Sequence, residues 1–110
     1  MSRKLHNYLR GYRKKAGFTQ GEMAFLLGCK TGAKVSRYEN FTRNPSLEKA
    51  FAYEAVFGTP LRELFAGIFQ KVEEKTKRRA QVFARKLGEA KQDRMTARKL
   101  QMVKALASGR

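Results

Sequence analysis

TQGEMAFLLGCKTGAKVSRYENFTRNPS, residues 19–46, is the stretch from which the rest of the chain can be read. Thr19 and Glu22 stand in the T-x-x-E spacing of a capping box. The threonine hydroxyl accepts from an amide in the first turn, the glutamate reaches back to the Thr19 amide, and a helix starts at Gln20. It runs through Met23, Ala24 and Leu27 and stops at Gly28, since glycine enters the left-handed turn without steric cost. The next residues, Cys29 to Gly32, supply a threonine and a glycine suited to turning and capping. A further helix is predicted over about 33–40, with Val35 and Tyr38, three apart, facing the core. Asn44-Pro45-Ser46 closes the stretch, and Ser46 is placed to cap a helix over 47–57.

Working outward, Leu5, Tyr8, Leu9 and Tyr12 fall at i, i+3, i+4 and i+7 and predict one side of a first helix. Arg3, Lys4, Arg10 and Lys14 occupy its other sides, and Gly17 ends it. Downstream, Gly58 stops the fourth helix. Thr59-Pro60 restarts the chain, with Thr59 as N-cap and proline at the first helical position, where its missing donor costs nothing. Leu61, Leu64, Phe65 and Ile68 give this fifth helix its apolar face. A weaker pattern of Val72, Thr76, Ala80, Phe83 and Leu87 allows the helix to continue to Leu87, supported by i, i+4 pairs of Glu73 with Lys77 and Glu74 with Arg78. Gly88 is the expected break, and Leu100, Val103 and Leu106 predict one more short helix. No strand signal and no repeat is present.

The 110 residues carry a formal charge of +16, unevenly placed. Residues 1–69 hold 12 Lys+Arg against 5 Glu, a net of +7, and residues 70–110 hold 13 against 4, a net of +9. The expected organisation is therefore a globular unit over 1–69 and a basic helical tail over 70–110. Such charge is drawn to polyphosphates, because Lys and Arg release counterions condensed on a nucleic-acid backbone. An anionic membrane surface would also attract it, but needs an apolar stripe that only the tail could offer, and thinly. No run approaches a membrane span, and the first residues lack the apolar block of a secretion signal, so a cytoplasmic protein is expected. With one cysteine, Cys29, and one histidine, His6, neither an internal disulfide nor a metal site is expected. No cofactor is implied. No nucleophile, base and acid are grouped, so the chain reads as a non-enzyme.

Arg13, Gly17, Thr19-Gln20, Glu22, Ala24, Leu27-Gly28, Val35-Ser36-Arg37-Tyr38-Glu39-Asn40 and Asn44-Pro45-Ser46-Leu47, in that order, resemble the lambda-repressor/Cro-type (xenobiotic-response-element) helix-turn-helix family. The resemblance covers about residues 5–69. It implies an all-α fold, a five-helix lambda-repressor-like DNA-binding domain with a basic C-terminal helical extension. It also implies roles. Gln20 would donate to a DNA phosphate at a helix N-terminus, which itself favours an anion. Gly32, Ala33, Ser36 and Arg37 would face base edges in the major groove, with Arg37 able to bond guanine O6 and N7 together. Lys30, Thr31, Lys34, Asn40 and Arg43 would contact phosphates, setting register without reading sequence. Arg13 and Glu39 would form a structural ion pair tying the first helix to the end of the third.

The chain departs from the family pattern twice. The turn between Gly28 and Val35 is one residue longer than usual, which leaves the start of the recognition helix uncertain by a residue. Phe41 stands where the family commonly has glycine, and the preferred reading is that its ring packs against the core rather than projecting toward DNA or a partner.

The implied function is a sequence-specific transcriptional regulator, a repressor acting as a homodimer on double-stranded DNA. Two alternatives stand beside it: an antitoxin-type autorepressor holding a toxin partner, and a non-enzymatic protein-interaction or coactivator module. For the tail, the readings are a solvated arm, a dimerisation helix using Val72, Phe83 and Leu87, or a surface for nucleic acid or an acidic protein partner.

Overall fold

A computed structural model describes residues 4–109, so Arg3 lies outside the described part. Seven helices are present among these residues and no strand. They are α1 (Leu9–Ala16), α2 (Gln20–Leu27), α3 (Gly32–Glu39), α4 (Leu47–Phe57), α5 (Leu61–Leu64), α6 (Ala66–Glu89) and α7 (Arg94–Ala107). The chain divides into two compact units, residues 1–69 and 70–110.

In the first unit, Leu9, Met23, Ala24, Leu27, Val35, Tyr38, Tyr53 and Leu64 form one buried cluster. Fully burying a side chain of the Leu, Val or Met class contributes about 1.5–3 kcal/mol, so α1 to α5 are held chiefly by this shared core. The start and stop signals act locally. Thr19 and Glu22 make both bonds of the capping box, Ser46 caps α4 through the Lys49 amide, and Gly17, Gly28 and Gly58 end helices in left-handed conformations. Lys49 also reaches across to the end of α2, its Nζ donating to the Leu27 carbonyl at 2.8 Å. A cation there satisfies a terminal carbonyl and complements the helix dipole.

Tyr53 is completely buried, and its hydroxyl has no protein partner among the described residues. Burial pushes the phenol well above its usual pKa. The ring earns its place by packing, edge-on to Tyr38 at 6.4 Å and stacked on Phe57 at 6.0 Å. Tyr53→Phe keeps that packing and removes a desolvated polar atom, so the variant is expected to be as stable as the parent or more so by about 1 kcal/mol. A thermal melt lowered by several degrees would show that the hydroxyl makes a bond of its own.

Three expectations about the first and fifth helices fail. The first helix starts at Leu9, not at Leu5, because the Asn7 side chain accepts from the Leu9 amide and donates to the Tyr38 carbonyl. Leu5 is left 52% exposed. Pro60 is the N-cap of α5, and the Leu61 amide is satisfied by the Glu54 carboxylate at 2.9 Å, not by Thr59. The fifth helix then breaks at Phe65 (φ −117°, ψ 42°) before α6 begins. The segment before α1 lies along this break. The Tyr8 amide donates to the Leu64 carbonyl at 2.8 Å, and the Ile68 amide donates to the His6 carbonyl at 3.3 Å. Gly67 lets the two backbones meet, since a Cβ there would sit 2.2 Å from the Leu5 carbonyl oxygen.

The second unit contains α6 from residue 70 and α7. Gly88 does not break the helix, which runs on to Glu89. The turn is closed by Gln92, whose side-chain amide donates to the Leu87 and Ala90 carbonyls. Asp93 then caps α7 by accepting from the Thr96 amide at 2.8 Å, a bond that holds its carboxyl below the usual range. Ala80 and Leu87 are buried, whereas Val72 and Phe83, on the same side of the helix, are about half exposed, so the apolar stripe expected along α6 is only partly covered. Glu73 approaches Lys77 to 3.8 Å, while Glu74 and Arg78 form no ion pair among the described residues.

Candidate nucleic-acid interface

The candidate interface is built around α3 and the segments at its two ends. Val35, Tyr38 and Glu39 are its buried residues, while Ala33, Lys34 and Arg37 are exposed. Helical spacing explains the division. Positions 35, 38 and 39 share the side that meets the core, and 33, 34 and 37 share the other, as expected of an amphipathic helix half sunk in a domain.

Its position is fixed by Glu39. Arg13 Nε donates to Glu39 Oε2 at 2.6 Å, Arg13 Nη2 donates to Oε1 at 3.0 Å, and the Gln20 side-chain amide adds a bond to Oε1 at 3.2 Å. One carboxylate at the end of α3 thus receives donors from α1 and from the start of α2. The third guanidinium nitrogen, Nη1, bonds the Phe18 carbonyl at 2.9 Å, so Arg13 also anchors the α1–α2 turn. The hydrogen bond to Glu39 raises the Arg13 pKa still further, against the opposing effect of burial. The pair is fork-to-fork, the geometry in which arginine and carboxylate bond most strongly.

At the other end, α3 begins at Gly32, one residue earlier than 33–40 predicts, and Asn40 is its C-cap. A Cβ on Gly32 would lie 3.3 Å from Gln20 and from the Gly21 amide nitrogen, so the first residue of α3 abuts the start of α2. The lengthened turn is accommodated by this close approach. Gly32 therefore serves the joint between the two helices, and the outward row starts at Ala33. Thr31 is the N-cap residue but its side chain makes no capping bond. Lys30 and Thr31 are exposed beside that first turn.

Ser36 is half-buried and lines a cleft with Arg10, Arg13, Gln20, Glu39 and Asn40. Arg10, one turn before Arg13 on α1, is exposed at the rim, and the sequence reading does not assign it to the site. Its spacing from Arg13 is the signal that could have found it. Beyond α3, the Asn40 side-chain oxygen accepts from the Thr42 amide at 3.0 Å and from the Thr42 hydroxyl, and the Thr42 and Arg43 amides both donate to the Arg37 carbonyl. These bonds order a short loop that carries exposed Arg43.

Phe41 adopts φ 68°, the left-handed conformation that glycine takes without penalty. Its ring is 45% exposed and lies 5.4 Å from the His6 ring, with His6 Nε2 in turn 2.9 Å from Asn44 Oδ1. The aromatic therefore packs on the chain leading into α1 and not in the central core.

Among the described residues no helix is long and apolar enough to cross a membrane, and no group of three His, Cys, Asp or Glu is placed to hold a metal ion. Comparison with the curated proteins and with the solved structures gave no match. A family model described as helix-turn-helix matches residues 9–64, just over half the chain and the same residues that form α1 to α5. The chain belongs to the lambda-repressor/Cro-type helix-turn-helix family.

Proposed function

We propose that this protein is a sequence-specific transcriptional regulator that places α3 in the major groove of double-stranded DNA. Family membership supports DNA binding and transcription regulation. The observation that carries the finer reading is the division of α3, with Arg37, Lys34 and Ala33 outward on a helix whose inner side is locked by Glu39. Arg37 reads guanine through its planar fork, Ala33 meets a thymine methyl, and Ser36 reaches a neighbouring base edge. Gln20, Lys30, Thr31, Lys34, Asn40 and Arg43, joined by Arg10, hold phosphates around that helix and set its register. The protein acts in the cytoplasm as a homodimeric repressor, with two recognition helices about 34 Å apart on a palindromic site.

Selection of preferred sites from random DNA tests the proposal, followed by Arg37→Ala. Loss of one bidentate contact should weaken binding to the selected site by about 1–3 kcal/mol, roughly 5- to 150-fold, and relax preference at one base pair. Binding to unrelated DNA changes far less. Because Arg37 is exposed, the melting temperature should stay where it is. Recovery of no preferred sequence would remove the reading.

A protein-docking module is the second reading, and one observation favours it: Phe25 of α2 is 83% exposed, beside half-exposed Leu26. A docking module loses its partner on Phe25→Ala and has no site preference for Arg37→Ala to erase. An antitoxin would instead co-purify with a small protein encoded beside it.

A further inference from the structure

The second unit holds a surface that duplex recognition by α3 leaves unused. Along α6, Arg78, Val82 and Lys86 follow one another at four-residue steps, and Arg79 and Phe83 form the adjacent row. All five are exposed and together line a shallow recess. Val82 is 46% and Phe83 45% exposed, an apolar pair framed by three cations. None of the three is in a salt bridge among the described residues. Phe83, three residues from buried Ala80 and four from buried Leu87, borders the face that α6 buries, while Arg78 and Val82 lie on the opposite side, and all five remain exposed.

We propose that this recess binds single-stranded nucleic acid, with a base stacked on Phe83 and phosphates on Arg78, Arg79 and Lys86. The inference stands on the second unit alone and does not depend on how α3 is used. Charge selects a polyanion, and the aromatic selects its form. A duplex keeps its base faces stacked inside and offers a phenyl ring little, whereas a single strand exposes them to aromatic side chains flanked by basic residues. A second copy of the chain is disfavoured, because it would set Arg78, Arg79 and Lys86 against like charges, and Leu87, needed for an apolar seam, is already buried. A membrane surface needs a continuous apolar face, and here the apolar part is two residues wide. An acidic peptide would match one strip, yet Arg94, Arg98 and Lys99 on α7 are exposed as well, so the charge extends beyond any such strip.

The chain contains no tryptophan, so Phe83→Trp in the full chain introduces a lone indole at the recess. Its emission is expected to be quenched by a 12-nucleotide oligo-dT, and not by a 12-base-pair duplex or by polyglutamate at equal charge. In otherwise unchanged protein, Phe83→Ala should weaken oligo-dT binding about tenfold. Arg78→Ala with Arg79→Ala should flatten the log–log salt dependence by about 1.4, at roughly 0.7 per lost phosphate contact. Phe83 is half-exposed, and circular dichroism of each variant verifies the helices. A loss below fivefold for Phe83→Ala, an emission unchanged at saturating oligo-dT, or equal quenching by duplex or polyglutamate would overturn the proposal, the last in favour of an acidic protein partner.

Discussion

Glu39→Ala lowers the folding stability of the first unit by about 3–5 kcal/mol, the largest effect expected of any single substitution here. The cost comes less from the bond that is lost than from what remains. Arg13 is 8% exposed, and without Glu39 its charge stays in the interior facing only the Phe18 carbonyl. Gln20 loses its acceptor at the same time. Small domains hold a total of about 5–15 kcal/mol, so much of the margin disappears, and at about 4–8 °C per kcal/mol the melting temperature should fall by more than ten degrees. Arg13→Ala should be nearly as costly, since it strands the carboxylate. Arg13→Met combined with Glu39→Met removes both charges and should recover most of the loss, because a buried ion pair can be replaced by packed apolar groups with little net change. If either single variant melted within two or three degrees of the parent, the pair would be ornamental and α3 would be held by its apolar side alone.

Gly67→Ala is expected to cost about 3 kcal/mol, although alanine is the better helix former and Gly67 sits in the first turn of α6. A Cβ would meet three backbone atoms, Leu5 O at 2.2 Å, Leu5 C at 2.6 Å and His6 Cα at 2.8 Å, none of which can rotate away. The two segments must separate. Overpacking costs about 1–3 kcal/mol, and the bonds from Tyr8 to Leu64 and from Ile68 to His6 weaken by about 1 kcal/mol each. Gly88→Ala is the control, because nothing lies within 4 Å of its added methyl in the last turns of α6. There the helix propensity acts alone and should stabilise by up to about 1 kcal/mol. Amide exchange at Tyr8 and Ile68 should quicken in the first variant and not in the second. Two glycines in one helix with changes of opposite sign would locate the contact at Gly67.

How much of this was legible in the sequence depends on whether a feature is decided within a few residues. The capping box of Thr19 and Glu22, the Ser46 cap and the glycine stops at 17, 28 and 58 are local, and α2 and α4 have the ends their signals prescribe. The interruption at Phe65 is not local. Phe65 itself is neither glycine nor proline, and the break is held by partners some sixty residues earlier in the chain, which Gly67 lets approach. Leu5 misled for the same reason, since its spacing continues the apolar row while Asn7 sets the start of α1 through Tyr38. At the site, the helical period alone separates Val35 and Tyr38 from Arg37. The joint at Gly32 depends on how closely two helices approach, and the Arg10 rim on which turn of α1 faces the cleft. Neither is carried by spacing within α3.

The residues that anchor α3 and the residues that look away from the domain have no member in common. Val35, Tyr38 and Glu39 bear the weight, while Ala33, Lys34 and Arg37 bear none. Descendants of this chain can therefore exchange the outward trio freely, drifting toward new targets while the scaffold beneath stays folded.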